Sequence, residues 1–567
     1  MNKYKEKLIE YGLPLILSIL LATILQIPQL FNHVALTGSD TIFHFSRFYD
    51  TAQQIKNHNF SYFQMNYGMG ETGRIVNAIY GPFFAYLMGS LLLSAGSWFN
   101  YQIILVYLIF IVAGFGMYIL ARKVKLSRTV ALIVSTLFLL CGYISYWIPS
   151  NSFNAWGAAL MPYVLIQGIN LFNDDRKHFN WISLAITMAI VAQVHLLSTL
   201  QAILALIPLF VYGLVTTKNK KRMWVDTLKA VVLCLILTAN VWGAFLVLYP
   251  KNTMSAPLDF SPALTVLHLK SNGTITMWTE IQEAVLLLFG LQTVYVAFNY
   301  RVSKLNTFLT IEGLAFLFIS SDLFPWRVVE KYFPSFSNYF QFPNRFTAVA
   351  YPLLFLSMGL TVVNLINRYD FQFKVFVECL LIFVCLFSLR ADLRGNIIKF
   401  NKVKTNVERV NQFRYHDLSK FIDSNPPGNP DYLPLKKQMN SWKVSGLVSG
   451  TLIFNNGEGF EKEAASNGKL KISWTSDGKD STLPIVFYRQ SVLVVNGRKV
   501  SPKCNEIGMP IVQAQKGKNT AILSFKTPMW FTILLYISIL SWALLIIYSW
   551  ALLIIYGVFR WVKIIKK

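Results

Sequence analysis

Three side chains near the start of the chain, Asp40, His44 and Arg47, have the types and spacing to do chemistry together. In a helix beginning at Asp40 they fall at i, i+4 and i+7 on one face, which brings a carboxylate, an imidazole and a guanidinium together. Ile42, Phe45 and Tyr49 take the opposite face. The stretch, GSDTIFHFSRFYD from Gly38 to Asp50, follows within about ten residues of the first long apolar run, which ends near Phe31. One acid beside two cation-capable groups at a membrane surface suits chemistry on an anionic, lipid-borne substrate. A plainer role is capping, because Ser39 or Asp40 can satisfy the first N–H groups of the helix that follows. The two roles are compatible.

The elements that hold such a site must be membrane helices. Of 567 residues 54% are hydrophobic and 14% charged, and mean hydropathy is +0.45, the balance of a polytopic α-helical membrane protein. A net charge of +25 would point to nucleic acid in a soluble chain, but here Lys and Arg gather in short gaps between apolar runs. Positive-inside topology accounts for that pattern, and no nucleic-acid partner is expected. Four of the five cysteines, Cys141, Cys234, Cys379 and Cys385, lie in apolar runs, so no disulfide framework is expected. The run from Tyr11 to Phe31 follows Lys3, Lys5 and Lys7 and has no small-residue cleavage site after it, so it reads as a retained anchor.

Charge fixes the expected topology. With the basic N-terminus inside, residues 32–100 form a first outer loop. If Ala78 to Ala95 crossed the membrane, the next run, Tyr101 to Ala121, would deliver Arg122 to Arg128 to the outside. That stretch is therefore read as a re-entrant or surface-lying helix, with the Gly-Pro break of IYGPFF at its start. Spans then follow at 101–121, 129–148, 157–172, 181–197, 203–215, 225–248, 283–298, 308–320, 346–366, 375–389 and 530–559. With the first run this makes about twelve transmembrane helices, every basic cluster on one side and both termini cytoplasmic. The last run repeats SWALLIIY in tandem, and Glu312 and Glu378 lie within predicted spans, where each could line a cavity or bond to a neighbouring helix. Between Arg390 and Lys526 the chain turns polar, with short alternating runs and the Asn-Gly pair of VVNGRKV, the pattern of a β-rich domain with a tight hairpin. The expected organisation is a transmembrane domain over 1–389, an extracytoplasmic β-rich domain over 390–528, and a final helix with basic tail over 529–567.

The outer side collects the remaining candidates: Glu71 in the first loop, His195 at a helix end and Arg345 at the start of a span. No Walker motif, dinucleotide loop, HExxH or CxxC pair occurs, which argues against a soluble nucleotide as donor. A polyprenyl-phosphate-linked sugar fits better. Phosphate leaves readily as an anion, so displacement at the anomeric carbon needs one carboxylate to take the acceptor's proton and cations to hold the phosphate. Asp40 can be that base, and His44, Arg47 or Arg345 the phosphate contacts. A divalent cation, Mg or Mn, held by Asp40 and Glu71 is an open option, although the two acids form no tight cluster in sequence.

The long first span, the outer loop with SDTIFHFSRF and the surface helix with its Gly-Pro start resemble the GT-C superfamily of membrane glycosyltransferases. NYFQFPNRF at Asn338 to Phe346, DYLP at Asp431 to Pro434 and LPIVFYRQSVLVVNGRKV at Leu483 to Val500 are similar to its bacterial YfhO-like branch. The resemblance implies a GT-C-like membrane fold, a polyprenyl-phosphate-sugar donor, an extracytoplasmic site and a cell-envelope acceptor such as a teichoic acid or other surface glycan. It also implies that Asp40 matches the catalytic aspartate of the first loop and Arg345 the arginine of FPxRF, while His195 in QVHLLSTL resembles a family histidine at an outer helix end. A transporter or flippase of lipid-linked sugars or surface polysaccharide would share the many spans. It would more naturally show internal repeats and interrupted helices in corresponding halves, and neither is evident.

Overall fold

In lipid, a backbone without water must satisfy its own polar groups, and a single segment does so only as a helix. Each of the twelve apolar runs is helical in the structure, a computed structural model that describes residues 3–33, 36–38, 40–269, 279–334, 340–404, 418–424, 426–455 and 459–565. The helices are α1 (Lys3–Asn32), α2 (Thr41–Lys56), α3 (Pro82–Ala95), α4 (Trp98–Lys123), α5 (Arg128–Leu139), α6 (Tyr143–Ser150), α7 (Asn154–Phe172), α8 (Trp181–Val194), α9 (Leu196–Thr216), α10 (Lys220–Leu237) and α11 (Ala239–Leu248). There follow α12 (Glu283–Asn299), α13 (Lys304–Ser320), α14 (Trp326–Tyr332), α15 (Thr347–Ile366), α16 (Phe371–Lys404), α17 (Leu418–Ser424), α18 (Ser441–Leu447) and α19 (Met529–Ile565).

Among the described residues eight helical segments are long and apolar enough to cross a membrane, or nine if α10 and α11, bent by 64°, form one span. The three other expected spans, α8, α12 and α13, are helices of 14, 17 and 17 residues. Glu312, on α13, is buried with both carboxylate oxygens lacking a hydrogen bond among the described residues.

Ion pairs fix how the first helices run. Glu10, near the start of α1, holds Arg122 at the end of α4 (2.6 Å) and Arg128 at the start of α5 (3.1 Å). At the other end, Gln102 near the start of α4 accepts from Gln29 of α1 (2.9 Å) and from the Leu36 amide (2.8 Å). The segment between α1 and α4 therefore leaves and re-enters the bundle at the same end, and α3 within it makes no net crossing. Gly81 allows the turn into α3. It sits at φ +58°, and a Cβ there would meet the Gln193 carbonyl at 2.2 Å.

α16 does not stop where the sequence turns polar. It continues through Arg390 to Lys404, 34 residues in all, about 51 Å at 1.5 Å per residue. Beyond it, β3 (Phe460–Ala465), β4 (Lys469–Asp477), β6 (Ser491–Val495), β7 (Arg498–Val500) and β10 (Lys516–Phe525) make an antiparallel sheet in the order β3-β4-β10-β6-β7. A second sheet has the order β5-β9-β8, from β5 (Asp480–Thr482), β8 (Lys503–Cys504) and β9 (Pro510–Gln513). Leu470, Ile472 and Trp474 alternate along β4 and share a core with Val495, Val512 and Leu523. Asn496 and Gly497, both at positive φ, form the two-residue turn between β6 and β7. A separate apolar cluster joins this region to the rest: Phe63 and Ile75 of the first loop, Val247 of α11, Leu433, Tyr488 and Phe531 of α19. Strand β1 (Thr253–Met254), after α11, pairs with β2 (Pro434–Leu435) and draws the DYLP motif against the bundle.

Candidate functional site

Asp40 occupies the N-cap position of α2 but makes no side-chain cap bond. Ser152 and the Phe153 backbone instead favour its charged form. The capping role is thus not the one Asp40 plays, and Ser39 lies outside the described residues. The turn that presents Ser152 and Phe153 is seated by glutamine and asparagine side chains. Asn151 Oδ1 accepts from Thr41 (2.8 Å) and from Gln102 Nε2 (2.7 Å), and the same nitrogen donates to the Leu36 carbonyl. Gly38 permits the approach, because a Cβ there would lie 1.8 Å from the Ser150 oxygen.

Arg345 and Asp431 face Asp40 from distant parts of the chain. Arg345 stands on a single 3₁₀ turn, Pro343–Phe346, at the head of α15, and Asn344 beside it is fixed by the Tyr143 hydroxyl at 3.0 Å. The guanidinium lies 4.5 Å from the Phe342 ring centre, and its Nε is buried with no hydrogen-bond partner among the described residues. Burial pushes the Asp40 carboxyl above the ordinary aspartate range; the Arg345 charge opposes that shift and Asp431 adds to it. Asp431 is likewise raised by burial and opposed by the charge of Arg74. Arg74 donates to the Asp431 carbonyl, and Tyr488 of the β-rich region donates to the Tyr432 carbonyl (3.0 Å) while accepting from the Ile75 amide (3.0 Å). Asp40, Arg345 and Asp431 each keep part of their surface open.

The other first-loop candidates are enclosed. Arg47 is fully buried, and each guanidinium nitrogen has a protein partner: Nε donates to Asn77 (3.0 Å), Nη1 to His44 Nδ1 (3.0 Å) and Nη2 to the Tyr80 carbonyl. Its charge lies 4.2 Å from the Tyr80 ring centre, and burial brings it down to about 10, still cationic at neutral pH. Burial and then Arg47 push His44 well below the ordinary imidazole value, so it stays neutral with Nδ1 as acceptor, stacked on Phe153 at 4.3 Å. His44 and Arg47 thus meet, as the helical spacing predicts. His195 ends α8 and caps α9, with Nδ1 2.7 Å from the Ser198 hydroxyl, and its ring packs 5.8 Å from Tyr80. Glu71 lies elsewhere: its charged neighbours are Lys462 and Asp423, and burial raises it to about 7. Asp50 holds the loop through the amides of Tyr67 (2.9 Å) and Gly68 (3.2 Å).

Asp40 and Glu71, the acids offered for a divalent ion, have different neighbours. Among the described residues no group of three or more His, Cys, Asp and Glu side chains could hold a metal ion. The cluster also contains Asp431, Arg74, Ser152 and Tyr80, which sequence reasoning did not place there. The DYLP motif was the one signal for Asp431; Ser152 sits in an uncharged turn with none. Asn338 and Tyr339 of NYFQFPNRF lie outside the described residues.

No protein family model matches the chain. No curated protein matches it either. Among solved structures it is similar to the archaeal oligosaccharyltransferase AglB from Archaeoglobus fulgidus, solved with an inhibitory peptide and a dolichol-phosphate, at 13% identity and a TM-score of 0.39. The match covers 68% of this chain and 56% of AglB, so the chain spans little more than half of that protein. It is also similar to ArnT from Cupriavidus metallidurans, solved bound to undecaprenyl phosphate, at 12% identity and a TM-score of 0.40 over 69% of this chain and 75% of ArnT. At these scores neither likeness carries an argument about the site.

Proposed function

We propose that this membrane protein is a GT-C-type glycosyltransferase that moves a sugar from a polyprenyl-phosphate donor to an extracytoplasmic envelope acceptor, with Asp40 as general base. The observation that carries the reading is the partly open Asp40 within the field of Arg345, whose Nε lacks a hydrogen-bond partner among the described residues. In the proposed step the acceptor hydroxyl oxygen bonds to the anomeric carbon and its proton passes to an Asp40 oxygen. The bond from that carbon to the phosphate oxygen breaks, and its electron pair leaves with polyprenyl phosphate, whose charge faces Arg345. The raised Asp40 is a better proton acceptor than an ordinary carboxylate.

The acceptor side has its own support. A cleft of about 570 Å³ beside the β1–β2 pairing is lined by Lys251, Lys436, Arg489 and Lys503. All four are exposed, and Lys436 lies five positions beyond Asp431. Such a cleft suits an anionic polymer such as a teichoic acid. The test is transfer by the purified protein in liposomes from defined polyprenyl-phosphate hexoses to a teichoic acid, read by mass spectrometry of donor and polymer. Donor consumption with matching polymer gain supports the reading; no consumption with any donor overturns it.

A further inference from the structure

The end of the bundle remote from Asp40 carries a feature that sugar transfer leaves unused. α7 begins next to Phe153 and runs 19 residues, about 28 Å at 1.5 Å per residue. The loop after it thus lies at the opposite membrane face. A cleft of about 920 Å³ opens there between residues 177–182 and the first turns of α10. Lys177, Lys221, Arg222 and Lys229 line it against one carboxylate, Asp226. That carboxylate is occupied, by Lys229 (2.8 Å) and His178 Nε2 (2.7 Å), with Arg222 at 3.7 Å. His178 Nδ1 in turn holds Asp174 (2.7 Å), which also accepts from Thr217 (2.7 Å). These bonds tie the α7–α8 and α9–α10 connections together, so the cleft is pre-formed. Lys177 and Lys221 enter no ion pair among the described residues.

The helices that frame the cleft continue directly into an apolar groove of about 430 Å³. On α8, Trp181 lines the cleft while Leu184, Met188 and Ala192 line the groove, a helical spacing along one face. On α10, Val225 and Lys229 line the cleft while Ala230 and Cys234 line the groove. The groove is open along the bundle flank, where Ile207, Val231 and Leu235 are about half exposed (49%, 48% and 50%). Trp181 lies 6.0 Å from the Lys229 ammonium, and Trp224 is exposed beside the cleft, the placement of aromatic side chains at a bilayer boundary.

A cationic cleft at one membrane face that runs into a lipid-facing apolar groove matches a molecule with an anionic head and hydrocarbon tails. We propose that the α8–α10 seam binds one anionic glycerophospholipid of the leaflet opposite Asp40, its phosphate among Lys177, Lys221 and Arg222 and an acyl chain in the groove. Charge complementarity selects the head, and the almost wholly apolar surface of the groove selects the tail. The site is independent of the transfer reading, because a donor phosphate would meet Arg345 at the other face.

The full chain, purified in detergent, is titrated with dioleoyl-phosphatidylglycerol or dioleoyl-phosphatidylcholine and the adducts counted by native mass spectrometry. The phosphatidylglycerol adduct should form at about tenfold lower lipid concentration, and Lys177→Glu/Lys221→Glu should abolish that preference. Val231→Trp, which fills the groove from its exposed wall, should weaken the same adduct while leaving the cations in place. Equal binding of the two lipids, or a preference that survives the charge reversal, overturns the proposal. A groove variant that binds as well as wild type overturns it too. So does thermal protection by millimolar inorganic phosphate equal to that by phosphatidylglycerol, which would mark a soluble anion as the occupant.

Discussion

Asp40→Asn removes a proton acceptor while keeping the contacts that aim it. The amide has the same shape and still sits beside Ser152 and the Phe153 backbone, the groups that favour the charged carboxylate. Loss of a positioned general base costs about 10²- to 10⁴-fold in rate, or about 2.7 to 5.5 kcal/mol of barrier. Stability should move the other way. Burial outweighs the attraction of Arg345, so the folded carboxyl binds its proton more readily than the unfolded chain does. Its contribution to stability therefore falls as pH rises from about 3.9 through the raised folded value. The variant, with no charge to bury, should melt at or above the wild-type temperature at pH 7. The assay is initial-rate transfer from a purified polyprenyl-phosphate sugar at saturating donor, across pH. In wild type, kcat/KM should fall on the acid side through a value above the ordinary aspartate, and the variant should lose that limb with its rate. A variant within about tenfold of wild type removes Asp40 from the reaction as base.

Arg345→Gln should raise the donor KM by about 10- to 100-fold, the worth of a hydrogen bond to a charged group, and an unchanged KM would separate Arg345 from the phosphate. Gly81→Ala should destabilise by more than the ~1 kcal/mol of a left-handed alanine, since its Cβ would also meet the Gln193 oxygen at 2.2 Å. A melting temperature equal to wild type would contradict that packing. Asp50→Asn should cost about 1 to 3 kcal/mol by chemical denaturation. Its new N–H₂ faces the Gln54 Nε2 that now donates to Asp50 at 2.7 Å, and Gln54 cannot flip without losing Ser61 (3.0 Å) and Tyr86 (2.6 Å). Burial pushes Asp50 up to about 6, so wild-type stability from this group falls between roughly pH 4 and 6. The gap between the two proteins should narrow over that window, and a gap that widens would refute the assignment.

Some of this was legible in sequence and some was not. The antiparallel run of α1 and α4 was, because basic residues at Arg122 and Arg128 leave only one side for that turn, and Glu10 binds both. The meeting of His44 with Arg47 was too, since i and i+3 neighbours on a helix touch whatever the rest of the chain does. The enclosure of Arg47 was not: Asn77 and Tyr80, which take its nitrogens, return to α2 only because the first loop folds back on itself. Asp431 stayed hidden for a similar reason. It acquires its neighbours through the β1–β2 pairing and Arg74, contacts between segments far apart in the chain with no periodicity to announce them. Each apolar run was legible as a helix, because apolar side chains in lipid leave the backbone no other way to satisfy its polar groups.

The brace on Tyr432 also sets an order of events during synthesis. Asp40 and Arg345 leave the ribosome with the membrane helices, but the DYLP turn is clamped by Tyr488 of the β-rich region. A chain halted before Tyr488 would carry Asp40 and Arg345, yet lack the hydroxyl that holds the Tyr432 carbonyl beside Asp431. Under the proposed reading, chains terminated before Tyr488 are inert toward lipid-linked sugar, and folding of the β-rich region completes the site that the membrane helices begin.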